Sequence, residues 1–145
     1  IKEVPDGATI AIPNDPVNTG RALVMLSNAG LITLKNPPDP QSAPRDIVNN
    51  PHRFKIRELE GAMLARAVNQ VDLAFIFANY ALEAGIDTDK ALLVEKGSDL
   101  YVEYLVARPD NINDPGIQKL AKALHSEAVR NFILTRYKGK ILPGF

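Results

Sequence analysis

The sequence contains no cysteine, no tryptophan and no apolar run near the 18 or so residues that span a bilayer. Without cysteine, disulfides, thiol catalysis and cysteine-ligated metal sites are excluded. Seventeen basic residues balance seventeen acidic ones, which leaves neither a basic field for nucleic acid nor a polybasic membrane patch. Aromatic residues make up only 6%, so a stacking platform for bases or sugars is not expected. The 46% of hydrophobic residues suffice, in 145 residues, for one sizeable core.

The usual catalytic patterns are also missing. His52 and His125 are the only histidines, and both are interpreted as residues of a loop or helix end. The sequence has no His-x-x-x-His pair, no Gly-x-Ser-x-Gly elbow and no phosphate-binding glycine loop. The acidic residues are scattered, which argues weakly against a metal site. Binding without chemistry is therefore predicted, with no catalytic residue, cofactor or metal.

The stretch from 10 to 26 has the layout of an anion site. Ile10 to Ile12 predict a buried strand that ends at Pro13, and a helix is predicted to begin at Arg21. A polar turn is predicted between them, containing Asn14, Asp15, Asn18 and Gly20. The first N–H groups of a helix lack internal partners and attract anions, and a guanidinium fits a carboxylate or a phosphate. The alternative for Arg21 is a surface pair with Asp15 or Glu60.

Strand and helix patterns alternate along the rest of the chain. Strands are predicted at 8–12, 54–59, 73–77, 91–95 and 101–107, and helices at 21–29, 46–49, 60–69, 79–84, 114–125 and 127–137. The run 73–77 is apolar throughout and predicts a strand buried on both faces. This alternation indicates an α/β fold with a mostly parallel sheet and helices on both faces. The last two predicted helices have apolar stripes, which pack either within the chain or against a second copy of it.

Six short motifs, spread over nearly the whole chain, occur in the order of one protein family. They are Pro13 to Leu23 (PNDPVNTGRAL), Arg45 to Val48 with Asn50-Pro51, Glu58 to Glu60, Asn79 to Gly85, Leu124 to Arg130 and Tyr137 to Gly139. In this order they resemble the NlpA-type, methionine-binding lipoproteins, the substrate-binding components of bacterial ABC importers. No single motif is specific, but the ordered set is.

The resemblance implies a type 2 periplasmic-binding-protein-like fold that encloses a ligand between two lobes. Residues 1–100 would form the second lobe, and residues 101–145 a hinge strand and the C-terminal helices of the first lobe. Family members are longer and begin with a signal peptide and a lipid-bearing cysteine. The resemblance therefore implies further chain upstream of Ile1, a lipid anchor outside this chain and a position in the periplasm or at the cell surface.

The resemblance also assigns ligand contacts. Arg21 matches the arginine that pairs with the carboxylate of an amino acid, and Asn18 matches a polar contact at the same turn. The alternative for Asn18 is the N-cap of the following helix. Asn79 matches the second asparagine of the family's Ile-Asn-x-Asn-Tyr motif; its first interpretation is an N-cap, and ligand contact is the alternative. The neighbouring Tyr80 is an equal candidate for ligand contact, with packing as its first interpretation.

Two residues depart from the family pattern. Phe77 and Glu103 stand where the methionine binders usually have a ligand-facing asparagine. Because a site built on hydrogen bonds discriminates strongly, both changes affect ligand choice. We expect a ligand with a carboxylate at Arg21 and a cation at Glu103. The alternatives are core packing for Phe77 and, for Glu103, a bridge to Arg108 or a lysine.

The predicted function is extracytoplasmic binding of a small zwitterion, such as methionine, another amino acid or a short peptide, for delivery to an ABC permease in the membrane. Two alternatives stay open at this stage. One is a surface lipoprotein with another ligand or an interaction role. The other is an enzyme on the same fold, which the missing catalytic patterns disfavour.

Overall fold

A computed structural model describes residues 4–95 and 99–145. The chain divides into two compact units, Ile1–Val94 and Glu95–Phe145, which are described separately. In the described ranges of the first unit, the strands and helices are β1 (Thr9–Pro13), α1 (Pro16–Asn28), β2 (Thr33–Leu34), β3 (Ile47–Asn49), β4 (Lys55–Leu59), α2 (Gly61–Ala67), β5 (Leu73–Ala74) and α3 (Ala78–Glu83). Those of the second unit are α4 (Pro115–Leu124) and α5 (Glu127–Tyr137).

The first unit is organised by a parallel sheet with the strand order β4-β1-β5. Ile12 of β1 lies opposite Glu58 of β4, and Ile10 lies opposite Leu73 of β5. Strands β2 and β3 form a separate antiparallel pair. The predicted parallel sheet is confirmed. Because β1 is its central strand, the residues of β1 that point to either face of the sheet are buried.

Helices α1 and α2 lie on opposite faces of this sheet. The chain passes from β1 to β4 through α1, then returns across β1 to β5 through α2. Right-handed crossovers in opposite directions place their helices on opposite faces. Burial agrees, since Ile10 and Ile12 pack in one cluster with Leu23 of α1. Ala11, which is 0% exposed, points to the other face.

Among the predicted elements of the first unit, the helix at 46–49 is wrong and the strand at 73–77 is confirmed only in part. The predicted helix at 46–49 is a 3-10 turn (Pro44–Asp46) followed by β3, because residues 47–49 find backbone partners in β2. The predicted strand at 73–77 is the two-residue β5, and its residues are only half-buried rather than buried on both faces. Its position at the outer end of the described sheet leaves one side without a neighbouring strand.

The strands predicted at 91–95 and 101–107 are also wrong. Residues 91–95 have no regular structure, and a 3-10 turn at Asp99–Tyr101 leads into an irregular segment. A strand requires a neighbour for its backbone groups, and neither segment pairs with another in the described residues. Their apolar side chains are correspondingly exposed, to 74% for Val94 and 84% for Val106.

In the second unit, both predicted helices are confirmed. Asp114 caps α4, because its carboxylate accepts from the backbone N–H of Gly116 at 2.7 Å. His125 is the C-cap of the same helix, and its ring stacks on Phe145 with the ring centroids 5.0 Å apart. The apolar stripes of both helices are only partly covered, with Phe132 exposed to 57%. None of the helices in the described ranges has the length and hydropathy required to cross a membrane.

An exposed charge cluster joins the segments that precede β1 and β4. Asp6 contacts His52 Nδ1 at 2.9 Å and accepts from Arg53 Nη2 at 3.0 Å. The hydrogen bond from His52 and the charge and hydrogen bond of Arg53 hold the pKa of Asp6 below its ordinary value. Because the folded pKa is the lower one, the contact stabilises the fold above the unfolded pKa, and this is lost as the pH falls through the folded pKa.

We therefore expect Asp6→Asn to lower the Tm at pH 7. The difference from the wild type should shrink to nothing as the pH falls below the folded pKa of Asp6. Thermal unfolding across the acid range measures this, with the exposed Glu58→Gln of β4 as the control for loss of a carboxylate. A Tm difference that is the same at every pH would contradict the ionic origin of the effect.

Candidate functional site

The candidate site lies at the carboxyl edge of the parallel sheet. Because the three strands run in the same direction, β1, β4 and β5 end there at Pro13, Leu59 and Ala74. The chain continues from these ends towards α1, α2 and α3, on either side of the central strand. In open α/β sheets, ligands bind at such a switch point. Four of the five predicted ligand residues belong to the segments after β1 and β5; they are Asn18, Arg21, Phe77 and Asn79.

Helix α1 begins five residues earlier than predicted. Asp15 is its N-cap and accepts from the backbone N–H of Asn18 at 3.0 Å, while Pro16 occupies the first turn. The predicted N-cap role of Asn18 is therefore wrong. The predicted anion site at the start of this helix is also wrong, because the carboxylate of Asp15 already caps that end. Arg21 lies in the second turn of α1, beyond the terminal N–H groups.

Asn18 and Arg21 nevertheless share one side of the helix. Residues three positions apart are neighbours on a helix surface, and both side chains are half-buried. The side-chain nitrogen of Asn18 donates to both carboxylate oxygens of Asp15, at 3.1 Å each. This edge thus combines an amide held in place by a carboxylate with a guanidinium one turn further along.

A proline-rich loop, residues 36–43, packs closely on the same helix. The backbone carbonyl of Pro40 approaches Gly20 so closely that a Cβ at this position would lie 1.9 Å from its oxygen. Ser42, in the same loop, is buried. Position 20 therefore has no room for a side chain, which is why it requires glycine. Gly20 lies between Thr19 and Arg21. Sequence reasoning treated this glycine as a turn residue and missed its contact, since the Pro40 carbonyl comes from a distant segment.

Thr19 fastens the start of α1 to the end of β1. This buried side chain donates its hydroxyl hydrogen to the carbonyl of Pro13, at 2.8 Å. Thr19 falls in the predicted polar turn before Arg21, where the sequence shows only one more small polar residue and does not indicate this contact. Its bond holds the turn that carries Asp15 and Asn18 against the sheet.

Replacing Thr19 by valine should lower the free energy of unfolding by about 1–3 kcal/mol. The shape is retained, but the buried Pro13 carbonyl loses its partner. Thr19→Ser keeps the hydroxyl and serves as the control. Urea unfolding of both variants provides the measurement, and a valine variant as stable as the serine one would contradict this role.

Phe77 belongs to a small aromatic cluster at this edge. Its ring contacts those of Phe75 and Tyr80 edge-on, with centroids 5.5 and 6.1 Å away, respectively. Gly61 at the start of α2 lies beneath it, because a Cβ there would be 3.0 Å from the Phe77 ring. Phe77 is also the N-cap of α3, so the predicted N-cap role of Asn79 is wrong. Asn79 is an exposed residue of the first turn of α3.

Glu103 lies in the second unit and is exposed. Its predicted bridge to Arg108 is not formed, because Arg108 instead donates two hydrogen bonds to Asp110, at 2.9 and 3.1 Å. This bidentate contact holds the pKa of Asp110 below its ordinary value. No group of three or more potential metal ligands occurs in the described ranges.

Comparison with known proteins places this geometry in context. The chain is 38% identical over 146 residues to a Pasteurella multocida protein named "Probable D-methionine-binding lipoprotein MetQ", and it covers 53% of that protein. It is similar to a periplasmic substrate-binding protein of an ABC transporter from Coxiella burnetii, with 39% identity and a TM-score of 0.91 over 99% of this chain and 61% of that one. A nutrient binding protein from Burkholderia cenocepacia, solved bound to methionine, has 35% identity and a TM-score of 0.82 over 100% of this chain and 62% of that one.

These similarities confirm the predicted fold class, a periplasmic-binding-protein-like α/β architecture. The chain spans about half the length of the curated relatives that it matches. The family model for the NlpA lipoproteins matches residues 1–145, the whole of the sequence. This chain belongs to the NlpA lipoprotein family.

Proposed function

We propose that this chain is part of an extracytoplasmic binding protein that holds a small zwitterion and delivers it to an ABC permease in the membrane. Methionine is the first candidate ligand, with other amino acids and short peptides as further candidates. One observation carries the proposal: Asn18 and Arg21 share a side of α1, at the switch point of the sheet. The names of the relatives and the methionine-bound neighbour support it.

The chemistry of this edge suits an amino acid. The guanidinium of Arg21 offers paired donors for a carboxylate, and the rings of Phe75, Phe77 and Tyr80 offer apolar surface for a side chain. Glu103, an exposed carboxylate, is a further proposed partner of the ligand's cation, whose N–H groups can donate to more than one acceptor. In this proposal residues 1–100 form the second lobe, and residues 101–145 supply the hinge segment and C-terminal helices of the first.

The proposed location is the periplasm or cell surface, through a lipid anchor outside this chain. The support lies in the names of the relatives, among them "Outer membrane lipoprotein 2" of Mannheimia haemolytica. A binding role is preferred to an enzymatic one because His52, the histidine of the first unit, is not at this edge. It contacts Asp6 in the segments before β1 and β4, at the opposite ends of these strands.

Native mass spectrometry of the full-length protein, before and after denaturation, tests the proposal. We expect a retained molecule of amino-acid or dipeptide mass that is lost on denaturation. Calorimetric titration with methionine and an amino-acid panel then identifies it. If only neutral compounds without a carboxylate bind, or if no small molecule binds and none raises the Tm, the proposal fails.

A further inference from the structure

We infer that Asp15 is a positioning residue that fixes the amide of Asn18 so that its oxygen, not its nitrogen, faces the ligand. This inference rests on the proposed function, and it specifies which part of the ligand Asn18 recognises: a hydrogen-bond donor such as an ammonium group. Asn18 then complements Arg21, which recognises the carboxylate.

The orientation follows from the chemistry of the pair. Asn18 Nδ2 lies 3.1 Å from each oxygen of the Asp15 carboxylate. An ionised carboxylate can only accept hydrogen bonds, so the amide group must direct its NH₂ towards Asp15. Its carbonyl oxygen then faces away from Asp15. An asparagine without such a neighbour would offer either end to a ligand.

Asp15 is itself held by the backbone. Its Oδ1 accepts from the backbone N–H of Asn18 at 3.0 Å, as the N-cap of α1, and its backbone carbonyl accepts from Thr19 at 2.8 Å. The carboxylate is therefore tied to the same turn as the amide that it orients. Such a supporting contact keeps a binding group in place before the ligand arrives.

The negative charge has a second consequence. In this proposal the Asn18 amide lies between Asp15 and the ligand. The negative charge of Asp15 polarises the amide, so its oxygen becomes a stronger hydrogen-bond acceptor. A ligand ammonium is favoured next to the Asn18 amide, and a ligand carboxylate is disfavoured at that position. The turn thus distinguishes the two ends of a zwitterion, with Asn18 for the cation and Arg21 for the anion.

A double-mutant cycle tests the inference in the full-length protein, with methionine as the probe. Asp15→Ser keeps an N-cap for α1 but removes the carboxylate, and Asn18→Ala removes the amide. We expect Asn18→Ala to weaken methionine binding about tenfold or more and Asp15→Ser to weaken it several-fold. If Asp15 acts through Asn18, adding Asp15→Ser to Asn18→Ala should change the Kd little further. Additive losses, or no loss in Asp15→Ser, would overturn the inference.

Two controls separate orientation from charge and folding. Glu83→Gln removes an exposed carboxylate at the C-terminal end of α3, away from the strand ends, and should leave the Kd unchanged. The des-amino analogue of methionine lacks the ammonium group, so its affinity should be the same in the wild type and in Asp15→Ser. An equal loss for methionine and for the analogue would show that Asp15 acts on general structure, and would overturn the inference.

A ligand-free measurement keeps this inference distinct from the proposed function. In the wild type, the side-chain NH₂ protons of Asn18 should exchange with water more slowly than those of the exposed Asn79, and Asp15→Ser should abolish the difference. Equal exchange in the wild type would overturn the orientation whatever binds. Failure of the wild type to bind the whole panel would instead overturn the proposed function, and with it the assignment of the ligand's ammonium to Asn18.

Discussion

Replacing Gly20 by alanine is expected to lower the free energy of unfolding of the first unit by about 3 kcal/mol. The added Cβ would lie 1.9 Å from the Pro40 carbonyl oxygen and 2.6 Å from its carbon. Both are backbone atoms, so relief requires movement of the loop or of α1. A loss of this size should lower the Tm by roughly 10 °C. The sign is informative, because alanine for glycine inside a helix otherwise stabilises by about 0.5–1 kcal/mol.

Gly116→Ala in α4 is the matched control. There an added Cβ would meet only the carboxylate of Asp114, at 3.0 Å, and this is the end of a side chain. Chemical and thermal unfolding of both variants, followed by circular dichroism, provides the comparison. If Gly20→Ala were as stable as the wild type, the close packing of the 36–43 loop on α1 would be contradicted.

The variant also links the fold to the site. Gly20 lies between Thr19, which fastens α1 to the end of β1, and Arg21. A shift of the helix to accommodate alanine would displace Arg21 and Asn18 together. We therefore expect Gly20→Ala to weaken ligand binding even at temperatures at which the protein remains folded.

The sequence predicted the elements whose signals are local and failed where tertiary contacts decide. Helices α4 and α5 were predicted within a residue because Asp114 and Pro115 mark the start of α4 and an apolar stripe runs along it. The same cap signal, Asp15 followed by Pro16, was present at α1. Asn18 and Gly20, however, are residue types typical of turns, and they favour a later start at Arg21. The cap signal decides, because the helix begins at Pro16.

The failed strands share a different cause. Periodicity shows that a segment suits a strand, but a strand forms only where another segment offers its backbone groups. Residues 47–49 find such a partner in β2, whereas 101–107 have none among the described residues. Similarly, the sequence and the resemblance pointed to Asn18 and Arg21 as ligand residues. They did not reveal that Asp15 holds the Asn18 amide, because this depends on the position at which the helix begins.

Replacing Arg21 by alanine is expected to weaken methionine binding about 100-fold. The guanidinium is the proposed partner of the ligand carboxylate in a half-buried setting, and loss of one member of a hydrogen-bonded charge pair costs about 2–5 kcal/mol. Arg21→Lys keeps the charge but loses the planar pair of donors, so its Kd should rise by about tenfold. Calorimetric titration of the full-length protein measures both values.

The controls decide whether this loss belongs to the site. Arg66→Ala removes an exposed arginine of α2 and should leave the Kd unchanged, while circular dichroism shows whether each variant folds. Changing the charge of the ligand provides a further test. A methionine analogue with its carboxylate converted to a neutral amide should bind the wild type poorly and lose little more in Arg21→Ala, because the interaction that the arginine supplies is already missing. If Arg21→Ala folds and binds methionine within about threefold of the wild type, the carboxylate is held elsewhere. The shared side of Asn18 and Arg21 would then have no role in recognising a zwitterion.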